Sequence, residues 1–465
     1  MDVALASAVE LLAMLRARAI SARELSELHL ERIAELDPGL NAVVTLDAER
    51  ALARADALDR KRAPVGPLHG LPVTIKDQFE TAGLRTTCGL AIYGDHIPTC
   101  DADAVRRLRE AGAIILGKTN VAEGVADWQS YNDLFGATNN PWDATRTPGG
   151  SSGGSAAAIA SGLSALELGG DIGGSIRNPA AWCGVFGHKS SYGIVPQRGT
   201  LPAPPGSRSR TDIAVSGPIA RSVDDLELAL DVLIAPEPGG RGGWRVELPP
   251  ARHLGGRDLR VALWFDDARY PIAQEIRDAY EDVVAALVAS GAHVKHAKPD
   301  IDLHEMHELR RRLCAPIFAL GLDDESFAAE VEGARTSGRD DAVQTHRDWL
   351  RLDETRQRIR HVWGEFFRDW DVCLVPPTQT AAILHDHTPM EQRTIDVDGF
   401  SRPYSELGSW ISLAGVAYLP STVAPVGHSN QGLPIGIEVV GPYLGDRTTM
   451  QVARSLGTFE APPHH

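Results

Sequence analysis

Two segments decide how this chain is read: Gly149-Gly150-Ser151-Ser152-Gly153-Gly154-Ser155 and Gly169-Gly170-Asp171-Ile172-Gly173-Gly174-Ser175. A serine-glycine stretch ordinarily reads as a flexible linker, because glycine frees the backbone and serine keeps it solvated. That reading fails on what lies between them. Residues 155–162, Ser-Ala-Ala-Ala-Ile-Ala-Ser-Gly, carry small, helix-compatible side chains suited to a tightly buried helix. The second segment runs on as Ser175-Ile176-Arg177-Asn178-Pro179-Ala180, so each serine stands where glycine lets another group approach the backbone closely. Such a pair of loops builds a nucleophile and a pocket of N–H groups for an oxyanion.

The 465 residues exceed the usual size of one compact domain, a length that large α/β enzymes reach around one continuous core. With 43% hydrophobic and 23% charged residues the composition is that of a soluble globular protein, not a disordered one. A formal net charge of −16 argues against an interface with phosphate backbones, so no nucleic-acid partner is expected. Cys88, Cys100, Cys183, Cys314 and Cys373 are odd in number and widely spaced, which predicts free thiols and a reduced, cytoplasmic setting. The first twenty residues lack a signal-peptide pattern and no apolar run approaches the ~18 residues of a membrane span, so neither export nor a membrane partner is expected. His464-His465 reads as the remnant of a tag.

Residues 3–60 predict two or three amphipathic helices, with Ser21 to Glu24 as a capping box. From 61 to 235 short apolar runs, such as Leu71 to Ile75 and Ala113 to Leu116, alternate with helical stretches, the signature of an α/β sheet. The stretch 236–243, Pro-Glu-Pro-Gly-Gly-Arg-Gly-Gly, reads as a linker. Beyond it, strands are expected at 259–265, 372–375, 421–424 and 436–441, and helices at 273–290, across 301–370 and at 446–457.

Lysine is scarce beside arginine, which makes Lys76 conspicuous at the end of Leu71-Pro72-Val73-Thr74-Ile75. It reads either as a solvated strand-end lysine paired with Asp77 or as a buried lysine. Burial disfavours the charged form, and a neutral lysine is a base.

Lys76, Ser151 and Ser175 together resemble the Lys, cis-Ser, Ser triad of the amidase signature family. The resemblance extends through Pro72-Val73-Thr74-Ile75-Lys76-Asp77, Leu116-Gly117-Lys118-Thr119-Asn120, Gly136-Ala137-Thr138-Asn139-Asn140-Pro141-Trp142 and the two serine-glycine segments. It continues through Cys183-Gly184-Val185-Phe186-Gly187-His188-Lys189, Gly217 to Ser222 and Gly432 to Gly436 with Gly445-Asp446-Arg447. It covers most of the chain and is weakest from about 240 to 400. It implies a single domain over 1–465 with an α/β/α core: a mixed, largely central β-sheet surrounded by helices. In that scheme 1–60 are N-terminal helices, 61–235 the signature core, 236–400 a variable lid and substrate region, and 401–465 a return to the core.

The same resemblance implies an amidase in which Lys76 draws a proton through Ser151 from Ser175, and Ser175 attacks an amide carbonyl. It places the oxyanion hole at the N–H groups of Ile172, Gly173, Gly174 and Ser175, and a cis peptide before Ser151. Ser152 and Arg177 are expected to support the hydroxyl network, and Gly124, Val125, Ala126, Asp127 and Trp128 to line the acyl pocket. The implied substrate is a small-molecule aryl or alkyl amide, with ester or carbamate (urethane) cleavage also open because each presents a carbonyl and a heteroatom leaving group. The protein is then a monomer or homodimer. A second reading is the amidase subunit of a tRNA-dependent amidotransferase, which the acidic balance and divergent middle region disfavour. A third, a non-catalytic binding protein on an amidase fold, sits poorly with the presence of Lys76, Ser151 and Ser175 together.

Three other signals carry no chemistry. Gly112 to Thr119 satisfies the P-loop pattern, but its variable positions are apolar and largely β-branched, so they are a strand and not a phosphate loop. His304-Glu305-Met306-His307 and His385-Asp386-His387 lack zinc-site spacing, so no metal and no cofactor are expected.

Overall fold

The computed structural model describes residues 2–240, 242–252, 258–320, 322–337 and 344–463. Arg241 of the expected linker and His464-His465 lie outside them. Eleven strands form one sheet: β1 (Val43–Leu46), β2 (Pro72–Lys76), β3 (Ile114–Thr119), β4 (Glu167–Asp171), β5 (Phe186–Lys189), β6 (Val215–Ala220), β7 (Arg260–Leu263), β8 (His293–His296), β9 (Val372–Val375), β10 (Ser421–His428) and β11 (Pro434–Val440). Their order across the sheet is β1-β3-β2-β4-β6-β5-β10-β11-β9-β7-β8. The sheet is mixed: β3, β2 and β4 run parallel, β4 through β9 alternate antiparallel, and β9, β7 and β8 are parallel again. Helices surround it, which is the architecture expected of an α/β/α core.

β2, β3 and β4 are buried along their whole length, as strands covered on both faces must be. Their parallel arrangement puts the C-terminal ends of β2 and β4 side by side, which carries Lys76 and Asp171 to the same edge of the sheet. The stretch between the two serine-glycine segments is helix α1 (Gly153–Ala160), with every residue buried, and a second short helix, α2 (Arg177–Cys183), follows the second segment. A linker in this position is ruled out by that burial.

The stretch 236–243 separates no sheets, since β7, β8 and β9 beyond it pair into the one that holds β2 to β6. The N-terminal region holds three α-helices, Ala8–Ala17, Ala22–Leu40 and Ala48–Asp59, and also the edge strand β1, absent from the sequence expectation. The capping box at Ser21 and Glu24 is present, and a second forms at Ser7 and Glu10. In the variable region α3 (Leu303–Ala319) starts at Asp302, whose carboxylate accepts from Glu305 N at 2.9 Å. Further on, α4 (His346–Asp369) starts at Thr345. Buried Arg356 of α4 pairs with Asp212 at 2.7 Å and stands 4.5 Å from the Tyr418 ring centroid, tying the 200–214 loop to the core. Among the described residues no helix is long and apolar enough to cross a membrane, and all five cysteines are free, with only Cys100 exposed.

Candidate active site

Lys76 closes β2 in the middle of the sheet and is fully buried. Its Nζ lies 2.8 Å from Ser151 Oγ and 3.2 Å from the Gly170 carbonyl. Burial is the largest influence on its ammonium and, against the opposing charges of Cys88, Asp171 and Glu167, brings its pKa down to about 7. The pairing with Asp77 does not occur. Asp77 instead faces Lys118 at 3.7 Å and accepts from Thr87 N at 3.0 Å and Thr87 Oγ1 at 2.6 Å. Lys118, the lysine of the P-loop-like stretch, is buried in β3 and donates to Phe79 O at 2.5 Å and to two threonine hydroxyls.

Ser151 follows a cis peptide bond from Gly150. Gly150 is required there for closeness: a Cβ on it would stand 2.6 Å from Asp127 O and 2.7 Å from Gln129 N. Its N–H donates to Asn178 Oδ1 at 3.1 Å, so α2 helps to hold the loop that presents Ser151. The neighbouring Ser152 donates its hydroxyl to Gly170 O at 3.3 Å, the same carbonyl that Lys76 uses, and its N–H to Ser175 O at 3.2 Å. Ser152 therefore joins the two serine loops.

Ser175 lies in the turn from β4 to α2, and that turn is organised by Asp171. The Asp171 carboxylate accepts from Gly174 N at 2.9 Å, Ile176 N at 3.1 Å and Arg177 Nε at 3.0 Å. Burial alone would raise this carboxyl, but Arg177 and Lys189 beside it, together with the N–H donors, hold it well below the usual carboxylate range. Arg177 also reaches Glu438 Oε1 at 2.9 Å and Ile411 O at 2.7 Å. This differs from the expected role: Arg177 braces the 171–177 turn through carboxylates, and among the described residues it makes no hydrogen bond to the serine hydroxyls.

Two further corrections follow from the same contacts. Of the four N–H groups assigned to the oxyanion hole, that of Gly174 is committed to Asp171, while those of Ile172, Gly173 and Ser175 have no acceptor among the described residues. Gly174 contributes through its backbone instead: its φ of +99° lies in the left-handed region, and a Cβ there would stand 2.4 Å from Ile411 Cδ1. Nor does the Ser175 hydroxyl bond to Ser151 among the described residues. Both serines line one cleft, and such contacts commonly tighten only when substrate is bound.

Asp171→Asn tests the brace. The change leaves Arg177 with one carboxylate and weakens the N–H contacts that shape the loop. We expect kcat to fall about 100-fold, the scale of one lost oxyanion donor, and unfolding stability to fall by about 3 kcal/mol, as for breaking a buried ion pair. Steady-state kinetics and denaturant unfolding check both, and wild-type kcat in a folded variant contradicts the assignment.

Two spaces meet at Ser175. A narrow slot of about 40 Å³ is lined by Ser151 and Ser175 together with Leu201, Pro202, Ala203, Ile317, Phe318 and Leu320. A wider cleft of about 710 Å³ is lined by Ser175, Ile172, Gly173, the 125–128 segment and the face of α3 that carries His307, Arg310 and Cys314. Val125, Ala126, Asp127 and Trp128 line this cleft as expected, but Gly124 does not. The Asp127 oxygens are already engaged by Arg393 Nη1 at 2.5 Å and Tyr404 Oη at 2.6 Å, so Asp127 orders the wall and leaves no free carboxylate for substrate. Trp128 is both wall and core: it is buried, packs edge-on against Tyr404, and donates Nε1 to Gly173 O at 2.8 Å.

Sequence reasoning missed Asp171 and Asn178 as organisers, although both lie inside quoted motifs, and missed the 201–216 wall and Arg310 altogether. Of the four histidines in the two clusters, His304 bonds to Tyr270 Oη at 2.7 Å, His385 to Asn139 at 3.1 Å and His387 stacks on Tyr131, while buried His307 lines the wide cleft with its Nδ1 unpartnered among the described residues.

A sequence model of the Amidase family matches residues 24–450. A Glutamyl-tRNA(Gln) amidotransferase subunit of Alkaliphilus metalliredigens is 31% identical over 481 residues, covering 94% of this chain and 93% of that protein. Among solved structures, a bacterial aryl acylamidase of the amidase signature enzymes aligns with a TM-score of 0.81 and 26% identity, covering 97% of this chain and 95% of the other. The corresponding Glutamyl-tRNA(Gln) amidotransferase subunit of Thermotoga maritima superposes with a TM-score of 0.80 and 25% identity, covering 99% and 98%. The match encloses Lys76, Ser151 and Ser175 and both loops that carry the serines, and by it the chain belongs to the amidase signature family.

Proposed function

We propose that this protein hydrolyses a carboxylic amide C–N bond through an acyl-enzyme on Ser175. The observation that carries the reading is buried Lys76, its Nζ 2.8 Å from Ser151 Oγ, beneath a cleft that Ser151 and Ser175 both line. A serine hydroxyl is a weak nucleophile until a base takes its proton. Neutral Lys76 accepts the Ser151 proton as Ser151 accepts that of Ser175, and the Ser175 oxygen forms its bond to the carbonyl carbon. The charge that develops on the carbonyl oxygen meets the N–H groups of Ile172, Gly173 and Ser175, each such donor being worth about 3 kcal/mol. The C–N bond breaks as Ser151 returns the proton to the leaving nitrogen. Water then attacks the acyl group by the reverse proton route, releasing the acid and restoring Ser175. Nothing in this sequence needs histidine or aspartate as base.

The pH dependence follows from Lys76. Below a pKa of about 7 its Nζ is protonated and cannot accept, so kcat/KM rises with pH and reaches half its plateau near 7. A profile flat from pH 5.5 to 9 contradicts Lys76 as the base.

For the substrate we propose an aryl or alkyl amide, with ester and carbamate cleavage within reach of the same attack. The apolar walls of the slot, Leu201, Pro202, Ile317 and Phe318, and the structural likeness to an aryl acylamidase support this class. The sequence relatives favour a second reading, the amidase subunit of an amidotransferase, and they give it more support than the aryl or carbamate substrate has. On that reading the amide is cleaved for its ammonia and the chain works with partner subunits. A matched set separates the two: acetanilide, longer-chain anilides and an aryl carbamate followed by aniline release, with glutamine and simple primary amides followed by ammonia. Aryl amine released by the isolated chain, dependent on Ser175, supports the first. Ammonia from glutamine alone, or activity only with copurifying partners, supports the second.

A further inference from the structure

We propose that Arg310 anchors a carboxylate of the substrate, so that the amide cleaved here carries an acidic group a few bonds from its scissile carbonyl. The proposal rests on the hydrolase reading above and adds the chemical class of the substrate to it. Arg310 projects from α3 into the wide cleft and is only 8% exposed. Its Nε donates to Gly408 O at 3.1 Å, and its guanidinium lies 5.5 Å from the Trp128 ring centroid. Nη1 stands 3.2 Å from the point where a Cβ on Gly173 would be, against the flank of the oxyanion loop.

No carboxylate among the described residues is paired with this guanidinium. Of the acids around the cleft, Glu308 is committed to Arg311 at 2.8 Å, Asp127 to Arg393 at 2.5 Å, and Asp171 and Glu438 to Arg177 at 3.0 and 2.9 Å, while Glu391 lines the cleft without forming an ion pair with Arg310. Other deeply buried arginines find more partners within the fold, although Arg221 Nε is unpartnered among the described residues and its other nitrogens meet carbonyls alone. Arg356 pairs with Asp212 and Asp353, and Arg221 donates to the carbonyls of Ile159, Ser164 and Ala6. A guanidinium buried without a counter-charge is costly, and burial lowers the Arg310 pKa accordingly. That cost is recovered when the counter-charge arrives with the ligand. The planar fork of arginine matches a carboxylate with two parallel hydrogen bonds, which a neutral substituent cannot reproduce.

The test uses the full chain and two matched pairs of anilides, which place the acid on either half of the substrate. Succinic acid monoanilide is compared with neutral pentananilide, and 4-acetamidobenzoate with acetanilide. The wild type is expected to favour one acidic member over its neutral partner by about 100-fold in kcat/KM, the scale of two charge-assisted hydrogen bonds. Arg310→Met removes that preference, lowering kcat/KM for the acidic member far more than for its neutral partner, and Arg310→Lys restores part of it. Ser175-dependent cleavage of neutral amides without preference for either acidic member leaves the hydrolase reading standing and overturns the anchor. Equal losses on acidic and neutral substrates in Arg310→Met also overturn it, since they place Arg310 at the reacting carbonyl or in the fold. If none of these anilides is cleaved, the aryl-amide reading falls and binding decides the anchor. Millimolar glutarate then raises the melting temperature of the wild type and not of folded Arg310→Met, and equal shifts in the two overturn the proposal.

Discussion

Ser175→Ala is expected to abolish amide turnover and to leave the fold unchanged. The loss expected is on the order of 10⁶ in kcat, the scale seen when a serine nucleophile is removed from a site whose members act as a unit. The fold is spared because the Ser175 hydroxyl has no hydrogen-bond partner among the described residues. The link between the two serine loops runs through the Ser175 carbonyl, which accepts from Ser152 N at 3.2 Å and survives the substitution. Steady-state kinetics with the best substrate of the matched set, beside a thermal melt, checks both halves. Full activity in the alanine variant removes the nucleophile assignment, and a lowered melting temperature removes the claim that this hydroxyl is free of structural duty.

Lys76→Met has the second largest effect, about 10⁴ in kcat, the upper end of what a positioned base contributes. Methionine approximates the length of the lysine stem in a site that is fully buried, and it removes the charge whose desolvation pulls the pKa down. The two polar partners lose little. Gly170 O retains the Ser152 hydroxyl at 3.3 Å, and Ser151 Oγ gives up one hydrogen bond, worth about 1 kcal/mol. Stability is therefore expected to hold or rise while activity collapses, a combination that damage to the fold does not produce. A rate loss below about tenfold in a folded variant counts against Lys76 as the base.

How much of this was legible in sequence follows from the range of each contact. The buried helix Gly153–Ala160, the strand end at Lys76 and the two serine loops are written locally, in side-chain size and glycine placement, and the structure brings them together. The edge strand Val43–Leu46 was not legible, since four residues next to helical stretches become a strand only by pairing with Ile114–Thr119. The role of Arg177 was misread for a similar reason. Its partner Glu438 arrives on β11 from the far end of the chain, and no local pattern signals that meeting. Gly174 was counted as an oxyanion donor because it belongs to the right segment, yet the direction of its N–H is set by Asp171 three residues earlier. The substrate walls were the least legible. The slot is lined by Leu201, Pro202 and Ala203 together with Ile317, Phe318 and Leu320, segments more than a hundred residues apart in the chain.

The central claim is a covalent acyl group on Ser175. The most direct measurement is rapid acid quenching of the wild type during turnover of an activated 4-nitrophenyl ester whose acyl half matches a cleaved amide, followed by peptide mass mapping. The ester makes acylation fast, so the intermediate accumulates ahead of its hydrolysis. The account predicts the acyl mass on the peptide that contains Ser175, with the modification on Ser175 itself and none in Ser175→Ala. An acyl group on Ser151 or on another residue contradicts it, and so does steady turnover with no acylated peptide at any quench time.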